Sequence, residues 1–293
     1  MHIRQEHIAK NELLRQKAQG QFKTFIADCR IKNFQKKKVL EIGFKNGLFL
    51  DECYKAGLAA TGLEISRQYF ETVRKEFPYL ALLHYNGGDF PLPDNSSDFV
   101  VSFQVLEHVS STEHIIRECL RILTPGGIMY HICPNYHSFY EGHYNIFWLP
   151  FLNKKTARLY LKFLKRCVPR FKDLDLVKVR AKDVWHGHGL EQAEFKTDEV
   201  RYVPGFESFN LIKPNDVMKI IKKYKDELEF ISLGKGEFVA GLNKERIQKV
   251  KQKFLRKILE LVIILPGIRH FFLWIICWAG FYYPMTIILK KKA

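Results

Sequence analysis

Between Lys38 and Cys133, short apolar runs alternate with stretches whose apolar residues recur every three or four positions. The runs predict strands over 38–43, 59–64, 80–85, 98–103 and 127–133. The periodic stretches predict helices over 46–56, 66–77 and 111–123, and another over 215–227 capped by Asn215. Strands that alternate with helices imply an α/β domain: a doubly wound, mostly parallel sheet with helices on both faces. Ahead of it, residues 1–33 read as a helix, with Ile8, Leu13, Leu14, Phe22, Phe25 and Ile26 set among charges.

From 134 to 213 the alternation stops, and the chain is rich in aromatics and histidines. It holds one clear helical pattern near 153–166, capped by Asn153. An insertion placed after the fifth strand is expected over the carboxyl edge of the sheet, where ligands of such folds bind. Further on, Ile247, Val250, Phe254, Ile258 and Leu261 form an amphipathic helical pattern with Lys and Arg between them. The chain then breaks at Pro266-Gly267 and runs from Phe271 to Leu289, 19 residues without a charge.

That length is close to the minimum for a membrane span. A span, however, would carry Lys290-Lys-Lys292 to the far side, against the positive-inside tendency, and Pro284 divides the run. The expectation is a basic helix and a short apolar hairpin, about 247–281, lying in the membrane interface. Pro284–Lys290 then returns to the sheet as its last strand. The alternative is that the apolar helices simply pack on the core.

Charge supports the interfacial expectation. The net charge of +16 is carried by residues 1–38 (+7) and 244–293 (+9), and the 205 residues between are neutral. Positive ends beside apolar runs suit an anionic membrane surface better than nucleic acid, which calls for a basic cleft. The six cysteines are scattered with no CxxC pair, as expected of reduced thiols in the cytosol. The polar start, Met1 to His7, has no apolar core of a secretory signal.

The candidate chemistry begins at Val39-Leu-Glu-Ile-Gly-Phe-Lys-Asn-Gly47, followed by Ala60-Thr-Gly-Leu-Glu64. Glycines after a strand let backbone approach a nucleotide-type ligand, and an acid at the end of the next strand is placed to accept from ribose hydroxyls. Downstream come Gly88-Asp-Phe-Pro-Leu-Pro93, Ser97-Asp-Phe-Val-Val101, Leu106-Glu-His-Val109 and Leu123-Thr-Pro-Gly-Gly127. In this order and spacing, residues 39–133 resemble a class I S-adenosylmethionine-dependent methyltransferase, which implies a seven-stranded sheet and S-adenosyl-L-methionine as cofactor.

Carried over residue by residue, the resemblance implies that Glu41 and the Gly43–Gly47 backbone hold the methionyl and ribose side of the cofactor. Glu64 accepts from the ribose hydroxyls, Asp89 faces the adenine amino group with Phe90 beside the ring, and Phe103 and Gln104 line the methionine portion. The family's central loop glycine is Lys45 here, which puts the loop geometry in question. Structural alternatives stand beside these roles. Glu64 also suits a cap for the helix starting at Ser66, Asp89 a turn before Pro91, and His108 a packing position beneath the site.

Methyl transfer to a hydroxyl needs a base. His137, Glu141 and His143 are the candidates, on a loop expected to reach the methyl; His186 and His188 form a second group. No metal is expected. The stretch Glu141 to Pro150, with Leu159-Tyr-Leu161, resembles bacterial methyltransferases of glycan- or lipid-linked products. The expected organisation is a basic helical segment (1–37), the cofactor half of the sheet (38–133), a substrate-binding insertion (134–213), the rest of the domain (214–243), a membrane-association hairpin (244–282), and the last strand with a basic tail (283–293). The expected activity is O-methylation of a membrane-linked glycan or lipid precursor by an enzyme peripheral or monotopic at the cytoplasmic membrane face. The rivals are a prenylated-quinone or other small-molecule methyltransferase, an RNA methyltransferase, and a non-catalytic membrane-bound scaffold.

Overall fold

A computed structural model describes residues 2–142, 146–168, 210–235 and 266–293, and in addition Ile247, Arg256, Lys257 and Glu260. The strands of the main sheet are β1 (Lys38–Ile42), β2 (Ala59–Glu64), β3 (Ala81–His84), β4 (Ser97–Phe103), β5 (Leu123–Cys133), β8 (Leu228–Ser232) and β9 (Met285–Lys291). They lie in the order β3-β2-β1-β4-β5-β9-β8, and β9 runs antiparallel to both of its neighbours. The other neighbours pair in parallel. The expected last strand is present: the uncharged run ends as β9, between β5 and β8.

Helices α1 (His2–Asp28), α2 (Leu48–Lys55) and α3 (Arg67–Glu76) cover one face. Helices α4 (Thr112–Ile122) and α6 (Pro214–Lys223) cover the other. Alternation within a strand explains the two cores. Val39 packs with Phe25, Phe49 and Cys53, whereas Leu40 and Ile42 pack with Ile115, Leu120 and Met129 on the opposite face. The carboxyl ends of β1, β2, β4 and β5 share one edge. The chain leaves β1 for β2 on one side and reaches β4 on the other, so the topological switch lies between β1 and β4.

The insertion brings a two-stranded hairpin, β6 (Tyr140–Glu141) with β7 (Ile146–Phe147), and α5 (Lys154–Cys167). They share a small core of Tyr136, Ile146, Trp148, Leu152, Ala157 and Leu161. Helix α5 starts as predicted, with Asn153 accepting from Thr156 N and Thr156 Oγ1 accepting from Asn153 N, both at 3.0 Å.

Two local expectations are corrected. Helix α6 is capped by Lys213 rather than Asn215: Pro214, with its fixed φ, occupies the first turn, and Asp216 accepts from Lys213 N at 3.2 Å. Strand β5 begins at Leu123, because Thr124 to Gly127 form an irregularity in its pairing with β4 instead of a preceding turn. Strand β8, whose position the pattern did not reveal, closes the sheet on the far side of β9.

The last helix, α7 (Pro266–Ala279), has 14 residues and so is about 21 Å long at 1.5 Å per residue. That is shorter than a bilayer's hydrocarbon core. Among the described residues, no helix is long and apolar enough to cross a membrane. Leu273 is buried and Ile276 packs on the core, so one face of α7 rests on the domain. Phe271, Trp274 and Trp278, at helical spacing, remain 63%, 60% and 75% exposed. Their rings stack in a row, with centroids 6.3 and 6.2 Å apart.

Candidate active site

The loop from β1 to α2 is built from left-handed backbone. Gly43, Lys45 and Gly47 have φ of 71°, 45° and 70°. Space also requires the two glycines: a Cβ at Gly43 would meet Val105 at 2.7 Å, and one at Gly47 would meet Val73 at 2.4 Å. Lys45 retains the conformation a glycine would take, so its substitution changes the side chain and leaves the backbone turn in place.

Glu64, at the end of β2, locks this turn. Its buried carboxylate accepts from Lys45 N at 3.0 Å and from Ser66 N at 2.9 Å. The cap of α3 is not Glu64 but Ser66, whose hydroxyl accepts from Tyr69 N, while Glu64 stands where a ribose acceptor is expected. Burial raises the Glu64 pKa although the Ser66 and Lys45 amides counteract it.

Glu41 is also buried, with Oε2 lacking a hydrogen-bond partner. Burial, and then the Glu64 charge, push its pKa well above the usual carboxylate range. A buried carboxyl oxygen without a partner is costly. It is the kind of group that a cationic or hydroxyl-bearing ligand satisfies.

On the other side of the switch point, Asp89 is exposed, 3.6 Å from His114 Nε2. Phe90 instead belongs to the core, 5.9 Å from Tyr85 in an edge-on contact. Sequence reasoning missed what holds this loop. Arg121 of α4 donates to the carbonyls of Phe90 and Leu92 and to Asp94, while Phe90 N donates to Glu118. Burial opposes ionisation of Glu118, but Arg121 and the Phe90 amide hold its pKa below the usual range. Phe103 is half-buried against Phe49 at 4.8 Å, and the exposed Gln104, with φ of 57°, donates its N–H to Ile132 O.

After β5, buried Asn135 ties the insertion to the C-terminal segment. Its amide donates to the carbonyls of Gly280 and Tyr282, and its oxygen accepts from His137 N. The candidate bases have different surroundings. His137 lies against the Phe281 ring at 5.3 Å and lines a cavity of about 900 Å³. Glu141 is buried in the β6–β7 hairpin, where its charge, together with burial, raises the Tyr283 pKa. His143, His186 and His188 lie outside the described residues. Glu107, next to the end of β4, is buried too.

Residues 40–131 match the family described as "Methyltransferase domain". Over 104 residues the chain is 36% identical to a probable S-adenosylmethionine-dependent methyltransferase of Mycolicibacterium smegmatis, covering 36% of this chain and 40% of that protein. Over 93 residues it is 31% identical to a demethylmenaquinone methyltransferase of Tropheryma whipplei, covering 31% and 38% respectively. The chain thus spans about two fifths of the length of the curated relatives it matches. Among solved structures, an S-adenosylmethionine-dependent methyltransferase from Mesorhizobium loti superposes with a TM-score of 0.51 at 12% identity, covering 91% of this chain and 97% of that one. The likeness to that structure supports the fold. Over residues 40–131, the chain is thus similar to the methyltransferase domain of S-adenosylmethionine-dependent methyltransferases.

Proposed function

We propose that the protein methylates a hydroxyl of a membrane-linked glycan or lipid precursor at the cytoplasmic face of a membrane, with S-adenosylmethionine as donor. The observation that carries the methyltransferase part is the glycine turn with its two buried acids. Glu64 fixes the turn, and Glu41 offers an unpartnered oxygen beside it. These residues fit the donor, which supplies a methyl group already activated on a sulfonium.

Glu41 and the Gly43–Gly47 backbone hold the amino-acid and ribose side, Glu64 accepts from the ribose, and Asp89 faces the base. Phe103 and Gln104 close the methionine side. The chain's chemical task is alignment of the acceptor and removal of one proton from its hydroxyl. To Glu141 and His137, which follow β5, we assign the removal of that proton, and the buried Glu141 is the better shielded from water.

Support for the substrate class comes from α7. Its outward Phe271, Trp274 and Trp278 resemble the aromatic contacts of interfacial helices, and the basic C-terminal fifty residues complement anionic lipid. A second possibility, methylation of a prenylated quinone, is favoured by the likeness to the demethylmenaquinone methyltransferase and makes use of the same surface.

Incubation of the protein with methyl-labelled S-adenosylmethionine and a bacterial lipid extract tests the activity. The expected result is label in a base-stable, lipid-extractable product carrying a methyl ether. Label in a quinone fraction supports the second possibility. A protein that binds the donor but labels nothing is a scaffold, and the proposal fails.

A further inference from the structure

The 900 Å³ cavity lies away from the glycine turn, among α6, the end of β8 and α7. Its apolar wall is made by Phe151, Met218, Phe230, Leu233 and Trp278. Its polar groups are Lys213, Lys235, His137, Asn215 and Ser232, with no carboxylate among the described lining residues. Two lysines and no acid among the described lining residues favour an anionic guest. Lys213 gives two of its three protons to the carbonyls of Pro150 and Leu152, at 2.8 and 3.1 Å, which fixes its ammonium and leaves one donor. Lys235 is exposed, and its carbonyl accepts from Cys277 of α7, so the end of β8 is held against the aromatic helix.

We infer that this cavity binds an amphiphile with a single apolar chain and a phosphate head. The phosphate is held by Lys213 and Lys235, and the chain runs along Phe230, Met218 and Trp278 toward the exposed aromatic row. The inference rests on the proposed function, because such an amphiphile is the anchor of a lipid-linked acceptor. It also assigns the anchor a place: His137 belongs both to the cavity wall and to the loop that carries the candidate bases. Lys213 and Asn215 thus contribute to recognition as well as to the start of α6.

The test is calorimetric titration of the full chain with farnesyl phosphate, farnesol and inorganic phosphate. Met218→Trp, which fills the cavity, and Lys235→Ala are tested in parallel. Farnesyl phosphate should bind about ten-fold or more tightly than either fragment, with Lys235→Ala weakening it about ten-fold. Binding should be lost in Met218→Trp. Should that variant not fold, Lys235→Ala alone decides.

Equal binding of farnesol would mean mere apolar partitioning, and equal binding of inorganic phosphate a simple anion site; either overturns the proposal. Unchanged binding in the folded Met218→Trp variant would place the ligand elsewhere, and no binding by wild type would also overturn it. S-adenosylmethionine titrated into the same samples separates the two claims. Donor binding without farnesyl phosphate binding sinks only the cavity, and the reverse sinks only the methyltransferase.

Discussion

Glu41 sets stability against function within a single side chain. Its buried oxygen has no partner, and its pKa is raised by burial and by Glu64. A carboxyl whose folded pKa lies above its unfolded value stabilises the fold most at low pH and loses that contribution as pH rises. Relative to Glu41→Gln, the wild type should therefore lose stability as pH climbs above about 4.3, the ordinary glutamate value. The variant is expected to be about 1 kcal/mol more stable at neutral pH, while its donor affinity falls. Thermal melts at acid and neutral pH check this; a constant gap would mean that the Glu41 pKa is the same folded and unfolded, and a wild type that gains on the variant as pH rises would mean that Glu41 is ionised and paired. The glycine pattern and the two acids were legible because each follows from local strand-turn-helix chemistry. Lys45 puts the turn in question by sequence, but the backbone keeps the glycine-like conformation and only the side chain differs. The part played by Asn135 was not legible, since its partners lie 145 and 147 residues away along the chain.

Among the elements, α4 does more than cover the sheet. Arg121 near its end joins Glu118 to the loop Phe90–Asp94, and so couples the loop that carries Asp89 to the core. Arg121→Ala removes these charged hydrogen bonds and leaves Glu118 buried without its cation. It should destabilise the fold by about 2 kcal/mol and weaken donor binding several-fold. Chemical denaturation and calorimetry read the two effects, and unchanged donor binding would show that the loop does not touch the cofactor. Strands flanked by turn residues were predicted well because both sheet faces are buried and leave apolar runs. Strand β8 escaped because it is an edge strand whose Glu229, Phe230 and Ile231 are all exposed, so neither an apolar run nor an alternation marks it. The cap of α6 was placed two residues late for a related reason: Pro214 and Asp216 together set the start at Lys213, a residue with no intrinsic capping preference.

At the scale of the whole molecule, the C-terminal segment joins two tasks. Strand β9 enters the sheet between β5 and β8, and α7, just before it, presents an aromatic row to the exterior while its other face rests on the core. The 19-residue uncharged run looked ambiguous in sequence because it serves a helix and a strand in turn, each with its own apolar demand. Trp274→Ser with Trp278→Ser should leave folding intact and reduce sedimentation with anionic vesicles by about ten-fold, as expected when two interfacial indoles are lost. Full retention on vesicles would remove α7 from the membrane account. Calorimetric titration of S-adenosylmethionine into the full chain, with Glu64→Ala as control, tests whether the glycine turn with Glu41 and Glu64 forms a methyl-donor site. The account predicts one site of micromolar affinity, strongly weakened in a variant whose circular dichroism shows it folded; a cooperatively melting wild type that takes up no donor would contradict it.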